Sequence, residues 1–303
     1  MGDARPLNLI WRRGVLDGVL EAQFLRQDVL GALARPQRWI ALEDGQPLPE
    51  LDDLLICSFG DCGDVLRGLR AGGRHNIGVL HLGDETGRDD LGFYADADYV
   101  LRHYHRAGLP AAAGRCRRVL WVPNGWAAGI GPVDSARHLP FAERRMELFF
   151  AGHAGTDAAP LPGRQAMLGA LRARARPATV ILTDGFGQGL GAQTYAGYLG
   201  DTRFALAPAG NAAETIRFYD ALECGALPVV TDAPWLHDTD GAGWSGPPPV
   251  PVLAGWHELP AMDFGRYGED GRIAALDWWR ELKTRTRTRV AETVEAAFAA
   301  VAA

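Results

Sequence analysis

Lysine is almost missing from this sequence. Lys283 is the single lysine among 31 basic residues in a chain of 303. Arginine's planar fork suits phosphate recognition, but an excess this general reads as the coding bias of a GC-rich, bacterial genome. Basic charge is not in surplus either. With 37 acidic residues the net charge is −6, which argues against the basic face that a nucleic-acid grip needs. Cysteine is scarce: Cys57, Cys62, Cys116 and Cys224 fit no zinc spacing, so free thiols in a reducing cytoplasm are expected. No stretch approaches the roughly 18 apolar residues needed to span a bilayer. The first eight residues include Asp3 and Arg5 and lack the apolar segment of a secretory leader. A cytoplasmic chain without a transmembrane segment is therefore expected. Charged residues at 22% and hydrophobic ones at 47% are ordinary globular values, so wholesale disorder is excluded; glycine and proline, 38 and 19 residues, stay below the roughly 25–30% of low-complexity chains but imply many turns and loops.

What is present is an alternation. Short apolar runs, which read as buried strands, recur between amphipathic stretches, which read as helices. The strand set is Leu7–Trp11, Trp39–Leu42, Leu54–Ser58, Asn76–Leu82, Tyr99–His103 and Val119–Val122. Helices are expected over Leu16–Leu33 and Asp64–Arg70. Gly125–Pro140, rich in Gly, Pro, Asp and Ser, reads as a linker. A second set then begins with strands Met146–Phe150, Ala178–Leu182, Arg203–Ala207 and Leu227–Val230. Its helices are Gly163–Arg174, Thr194–Leu199, Glu214–Cys224 and a closing Leu276–Ala302. Alternation of this kind predicts parallel sheets covered by helices. The expected class is thus α/β, with two Rossmann-like domains, 1–140 and 141–303, whose sheets face each other across a cleft, the default ligand site.

The richest segment runs from Phe204 through Pro208-Ala209-Gly210-Asn211 and Thr215-Ile216-Arg217 to Asp220, then Gly225 and Pro228-Val229-Val230. It reads as strand, glycine turn, helix, glycine stop, strand. Such a turn offers backbone N–H groups at a helix start, where anions bind. Thr215 and Arg217 are in position to add a hydroxyl and a guanidinium toward a diphosphate. Asp220, three residues on, is in position to accept from ribose hydroxyls. Spacing alone supports equally a structural helix carrying a surface Arg–Asp pair.

On these residues the chain resembles the exostosin-like glycosyltransferases, glycosyltransferase family 47. Their Pro-x-Gly, Arg-x-x-Glu-Ala-Leu and Gly-x-x-Pro-Val pattern is similar to Pro208–Gly210, Arg217–Leu222 and Gly225–Val229. Phe149-Phe150-Ala151-Gly152 with Arg164, and His81-Leu82-Gly83-Asp84-Glu85 with Tyr99–Tyr104, resemble further family segments. Asp220 stands where the family has Glu, one methylene longer, so Glu223 or a water enters as an alternative ribose contact. The resemblance implies a GT-B fold with nucleotide sugar on the second domain and acceptor on the first. It also implies inversion at the anomeric carbon and no obligatory metal. Gly152, His153, Arg164, Pro208, Gly210, Asn211, Thr215, Arg217 and Asp220 would form the donor site. Glu85, Asp84 and His81 are the candidates for the base on the acceptor hydroxyl.

Competing motifs are weaker. Gly187-Gln-Gly189-Leu-Gly191-Ala192 has a dinucleotide fingerprint, but the next strand ends without the acidic residue a ribose needs. Asp96-Ala97-Asp98 and Asp238-Thr239-Asp240 have the form of metal–diphosphate ligands, yet neither is at the phosphate-ready turn. His103 and His105 share a strand face flanked by Arg102 and Arg106, which disfavours a cation. Trp278-Trp279 reads as core, whereas the loop residues Trp126, Trp235 and Trp244 are the better stacking candidates. The reading is an inverting glycosyltransferase using a UDP-sugar as co-substrate, with no cofactor and no metal. Its acceptor would be a glycan, a lipid-linked or a small molecule, and it has no nucleic-acid partner. Two alternatives stand beside it: an inactive binding or scaffold subunit of the same fold, and another nucleotide-dependent α/β enzyme.

Overall fold

The structure is a computed structural model that describes residues 5–108, 118–156, 159–185, 188–237 and 246–302. Cys116, Gly187, Asp238, Asp240 and Trp244 lie outside the described residues. The chain forms two compact units, each a wholly parallel sheet with helices. This is the expected α/β class, in two parallel-sheet units.

The first unit contains six strands: β1 (Leu7–Arg12), β2 (Gln37–Leu42), β3 (Leu54–Ser58), β4 (Ile77–His81), β5 (Tyr99–Arg102) and β6 (Val119–Trp121). They lie in the order β2-β1-β3-β4-β5-β6. The central strands form because their aliphatic runs are buried on both faces, as a parallel sheet with two helical layers requires, whereas edge strand β2 buries only Leu42. All five residues of β4 are buried. Ile10, Leu54, Ile56, Ile77, Val79 and Val100 pack there with Leu66 of helix α1 (Gly63–Ala71) and with Phe93 and Tyr94. Each fully buried aliphatic side chain of this kind stabilises by about 1.5–3 kcal/mol. The helix expected over Leu16–Leu33 is instead broken into short turns, one of them a π-turn over Leu25–Val29. Gly31 permits that turn, since a Cβ there would stand 2.8 Å from the Arg26 carbonyl oxygen.

The second unit has β7 (Met146–Gly152), β8 (Thr179–Leu182), β9 (Thr202–Leu206), β10 (Leu227–Thr231) and a short β11 (Val252–Leu253) that periodicity does not reveal. Its helices are α2 (Pro162–Arg172), α3 (Ala192–Gly200) and α4 (Ile216–Glu223), and the chain closes with α5 (Glu269–Ala302). The sheet order is β11-β10-β9-β7-β8. Numbered within each unit, both sheets therefore read 2-1-3-4-5, the flavodoxin-like order, with one strand added in the first unit. Strand order reverses beside β1 and β3 in one sheet and beside β7 and β9 in the other. In open parallel sheets, ligands gather beyond the carboxyl ends of the strands at that switch point.

The units divide between Pro123 and Asn124, not at 140, and from Lys283 onward α5 belongs to the first unit. There Arg287 pairs with Asp28, and Arg35 pairs with Glu295 at 2.5 Å while lying 3.5 Å over the Phe298 ring. The stretch read as a linker is part of the second unit for a chemical reason. Two buried carboxylates along α4 accept its backbone N–H groups, and a third at the helix start accepts the N–H just before it. Glu214 takes Asn124 N–H at 3.1 Å, Asp220 takes Ala127 N–H at 2.8 Å, and Glu223 takes Val133 N–H at 2.9 Å. Glu223 also accepts from the indole of Trp279, which is buried with Trp278, as the core reading expects. Trp126 and Trp235 are likewise buried, so neither loop tryptophan is a stacking surface.

Candidate functional site

At the carboxyl end of β7 the strand runs Phe149-Phe150-Ala151-Gly152 and turns at His153. Gly152 has φ +151°, and a Cβ there would lie 2.4 Å from Nη2 of Arg217. Glycine is needed at this point for the backbone and because the guanidinium lies against it. Arg217 is the second residue of α4 and half-buried. Its Nε donates to the Ala151 carbonyl at 3.2 Å, and its guanidinium sits 5.7 Å over the Phe150 ring. Among the described residues no carboxylate pairs with it. Arg164, buried in the first turn of α2, donates from Nη1 to the His153 carbonyl at 2.6 Å. Its Nη2 lies 3.0 Å from the place a Cβ of Gly210 would take. Two guanidinium groups are thus laid against two glycines at the β7/β9 switch point. The start of α4 adds its partial positive charge.

The other expected donor residues sort as follows. Thr215 is the N-cap of α4, and its hydroxyl oxygen accepts from Arg217 N–H at 3.3 Å. Its role is to fix Arg217 on the first turn. Gly210 does not offer its N–H, which donates to the Ala212 carbonyl at 3.1 Å; its contribution is the room it leaves for Arg164. His153 holds Nδ1 toward Gly155 N–H at 3.2 Å. Pro208 is buried just after β9, and Asn211 is exposed on the turn. Asp220 is 2% exposed and directed to Ala127. It is a positioning residue on the same ladder as Glu223 and Glu214.

In the first unit the expected trio behaves differently. Asp84 is buried, and its Oδ2 pairs at 2.6 Å with Arg102, which is itself wholly buried; Oδ1 accepts from the Arg88 and Asp89 amides. Burial raises the Asp84 carboxyl, but the Arg102 and backbone hydrogen bonds and the Arg102 charge outweigh it, leaving the pKa below the usual range. His81 meets Arg102 Nη1 at 3.1 Å and Tyr94 Oη at 2.7 Å through Nδ1, and Asp89 at 3.2 Å through Nε2. Arginine can only donate, so Nδ1 is the acceptor and Nε2 carries the proton. Burial, then the Arg102 charge, lowers this imidazole to about 4. Asp84 and His81 therefore form a closed structural network with Arg102 and do not present a base. Arg102, the centre of that network, lies in the Tyr99–Tyr104 segment that the sequence sets beside Gly83-Asp84-Glu85, but its burial at 0% exposure, the exception for its type, is not expected from the sequence.

Glu85 differs from both. It is half-buried, follows Gly83 through a tight turn closed by Glu85 N–H to Gly83 O at 2.7 Å, and lies 3.4 Å from the hydroxyl of Tyr104. The same hydroxyl lies 3.3 Å from Glu21. One phenolic proton serves two carboxylates, so only one of them holds it at a time. Glu21 carries no sequence signal, since it sits in the stretch read as an ordinary helix.

No family model matches the sequence, and no curated protein does. Among solved structures, the chain is similar to an α1,3-fucosyltransferase at 15% identity and a TM-score of 0.46, covering 92% of this chain and 82% of that one. It is also similar to the glycosyltransferase SnogD from Streptomyces nogalater at 15% identity and a TM-score of 0.32, covering 99% of each chain.

Proposed function

We propose that this protein is an inverting glycosyltransferase of the exostosin-like type that takes its sugar from a UDP-sugar. The observation that carries the reading is Arg217: a half-buried guanidinium with no paired carboxylate among the described residues, held at a sheet switch point between a helix start and Gly152. A cation kept in place without a countercharge suits a group that arrives with negative charge, and a diphosphate matches its fork. Arg164 supplies the second positive group, and the Pro208–Gly210 turn lines the same strand end.

In this reading Arg217, Arg164 and the α4 start stabilise the leaving diphosphate as charge develops on it. No metal is needed for that role, and the protein carries no resident cofactor. The acceptor, a glycan, a lipid-linked or a small molecule, loses its hydroxyl proton to a general base. Glu85 is the base assigned here, because Asp84 and His81 are held in the Arg102 network.

The test is release of UDP from a panel of UDP-sugars by the purified protein, with EDTA present, for wild type and Glu85→Gln. Release by wild type in EDTA and a loss of kcat of roughly 10²–10⁴-fold in the variant, with UDP affinity unchanged, are expected. No release from any UDP-, GDP- or dTDP-sugar contradicts the reading. Loss on chelation restored by Mn²⁺ would replace its metal-free mechanism.

A further inference from the structure

Phe59 is the one exposed Phe, Tyr or Trp among the described residues, at 48% exposure. A lone exposed apolar residue is normal on a surface. This one differs in place, support and neighbours. It directly follows β3, one of the two strands at the switch point of the first sheet, at the carboxyl end where ligands gather. Its backbone is pinned: the Ser58 hydroxyl donates to Gly60 O at 2.7 Å, and Asp61 accepts Gly63 N–H at 2.7 Å to start α1.

The ring's support is specific. A Cβ on Gly83 would lie 2.8 Å from each of Cε1, Cε2 and Cζ of Phe59. A point equidistant from three consecutive ring atoms lies on the ring axis, so Gly83 faces the middle of the ring. Gly83 also has φ +93°, a conformation that favours glycine. One ring face is therefore seated on a glycine backbone, while the side chain as a whole remains about half exposed. Glu85 follows two residues after that support, its N–H donating to Gly83 O at 2.7 Å, and it is half-buried with the Tyr104 hydroxyl 3.4 Å from its carboxylate. A flat apolar face next to a hydrogen-bonding carboxylate is the pairing a sugar ring requires: its C–H face needs an apolar plane and its hydroxyls need acceptors.

We infer that Phe59 is the acceptor platform, stacking on the C–H face of a pyranose ring whose hydroxyls meet Glu85. This rests on the transferase reading for its role in catalysis, but not for binding itself. Preorganisation by the Ser58–Asp61 turn and Gly83 means little ordering is left to be done on binding.

The experiment is ligand-observed saturation-transfer NMR on the full chain with methyl β-D-glucopyranoside, methyl β-D-galactopyranoside and phenyl β-D-glucopyranoside at millimolar concentration. It is run on wild type, Phe59→Ala and Phe59→Trp, with UDP titrated separately into each. At least one glycoside should bind wild type, with saturation strongest on the protons of one ring face. Phe59→Ala should raise its Kd by about tenfold, equivalent to ~1.4 kcal/mol, Phe59→Trp should retain it, and UDP affinity should stay the same in all three. Binding of no glycoside by wild type, or equal glycoside affinity in Phe59→Ala, overturns the platform. Glycoside binding lost in Phe59→Ala while wild type binds no UDP would keep the platform and refute the donor reading.

Discussion

Both sheets have the same strand order, and both place an arginine near the carboxyl ends of their strands. Arg102 closes β5 and is wholly buried, with Asp84, His81 and Tyr94 around its guanidinium. Arg217 stands beside the end of β7, half-buried, with one carbonyl and a ring for company among the described residues. The same side chain is thus neutralised and structural in one unit and left with its charge uncountered in the other. Position on a fold says where a ligand can sit; the countercharge says whether one is needed.

The largest expected break in that symmetry is in stability. Arg102→Leu leaves the buried Asp84 with only the more distant Arg106, 3.5 Å from Oδ2, as a cation partner, and urea unfolding should show a loss of about 3 kcal/mol, the low end of the range for breaking a buried pair. Arg217→Leu, which removes one hydrogen bond to a carbonyl, should lose no more than about 1.5 kcal/mol. Equal losses at the two positions would erase the distinction.

Asp220 sharpens the comparison inside the second unit. If it positions the 124–133 segment, Asp220→Ala orphans the Ala127 N–H and costs about 1–3 kcal/mol of stability. UDP affinity should stay within about twofold, since no contact to a nucleotide is removed. A folded Asp220→Ala protein of unchanged stability and much weaker UDP binding would return Asp220 to the ribose.

A smaller effect concerns pH. His103 directly follows β5 and is buried. Burial, then the Arg102 and His81 charges, lowers its imidazole to about 3. With His81 lowered to about 4, both rings stay neutral in the folded chain while the unfolded chain takes up protons below about pH 6.5. The unfolded state then binds more protons, so stability falls as pH drops from about 6.5 toward 4. The depressed Asp84 pKa acts in the same direction at lower pH, its contribution being lost as pH falls through the folded value. His103→Asn should flatten the profile by ~1.4 kcal/mol per pH unit over that window. An unchanged slope, measured by urea unfolding at a series of pH values, would show that His103 is not held neutral.

Much of this fold is legible in the sequence because its strands are continuous apolar runs. Leu54–Ser58 is read to the residue, and the strands at Leu7, Met146 and Leu227 begin where expected. Arg217 and Thr215 are legible as a helix start because capping is local chemistry. The Asp84 and Arg102 segments are legible together only through the family resemblance; their buried ion pair is not, since it forms across the register that sets His81 beside Arg102 on neighbouring strands. Nor is the fate of Gly125–Pro140. Its composition reads as a linker, and only the α4 carboxylates 90 or more positions away show where the Ala127 and Val133 N–H groups bond. Trp126 reads as a loop aromatic open to a ligand, and its burial reverses that expectation; Phe59 carries no sequence signal, and only the structure shows its exposed ring.

The central claim is that Arg217 is an anion-binding cation and Arg102 is not. Isothermal titration of UDP into wild type and Arg217→Ala tests it most directly, with circular dichroism to establish that both are folded. Wild type is expected to bind UDP, and the variant to bind it more weakly by about 1.5–3 kcal/mol, the range for hydrogen bonds to charged groups. Equal UDP affinity in a folded Arg217→Ala protein would contradict it.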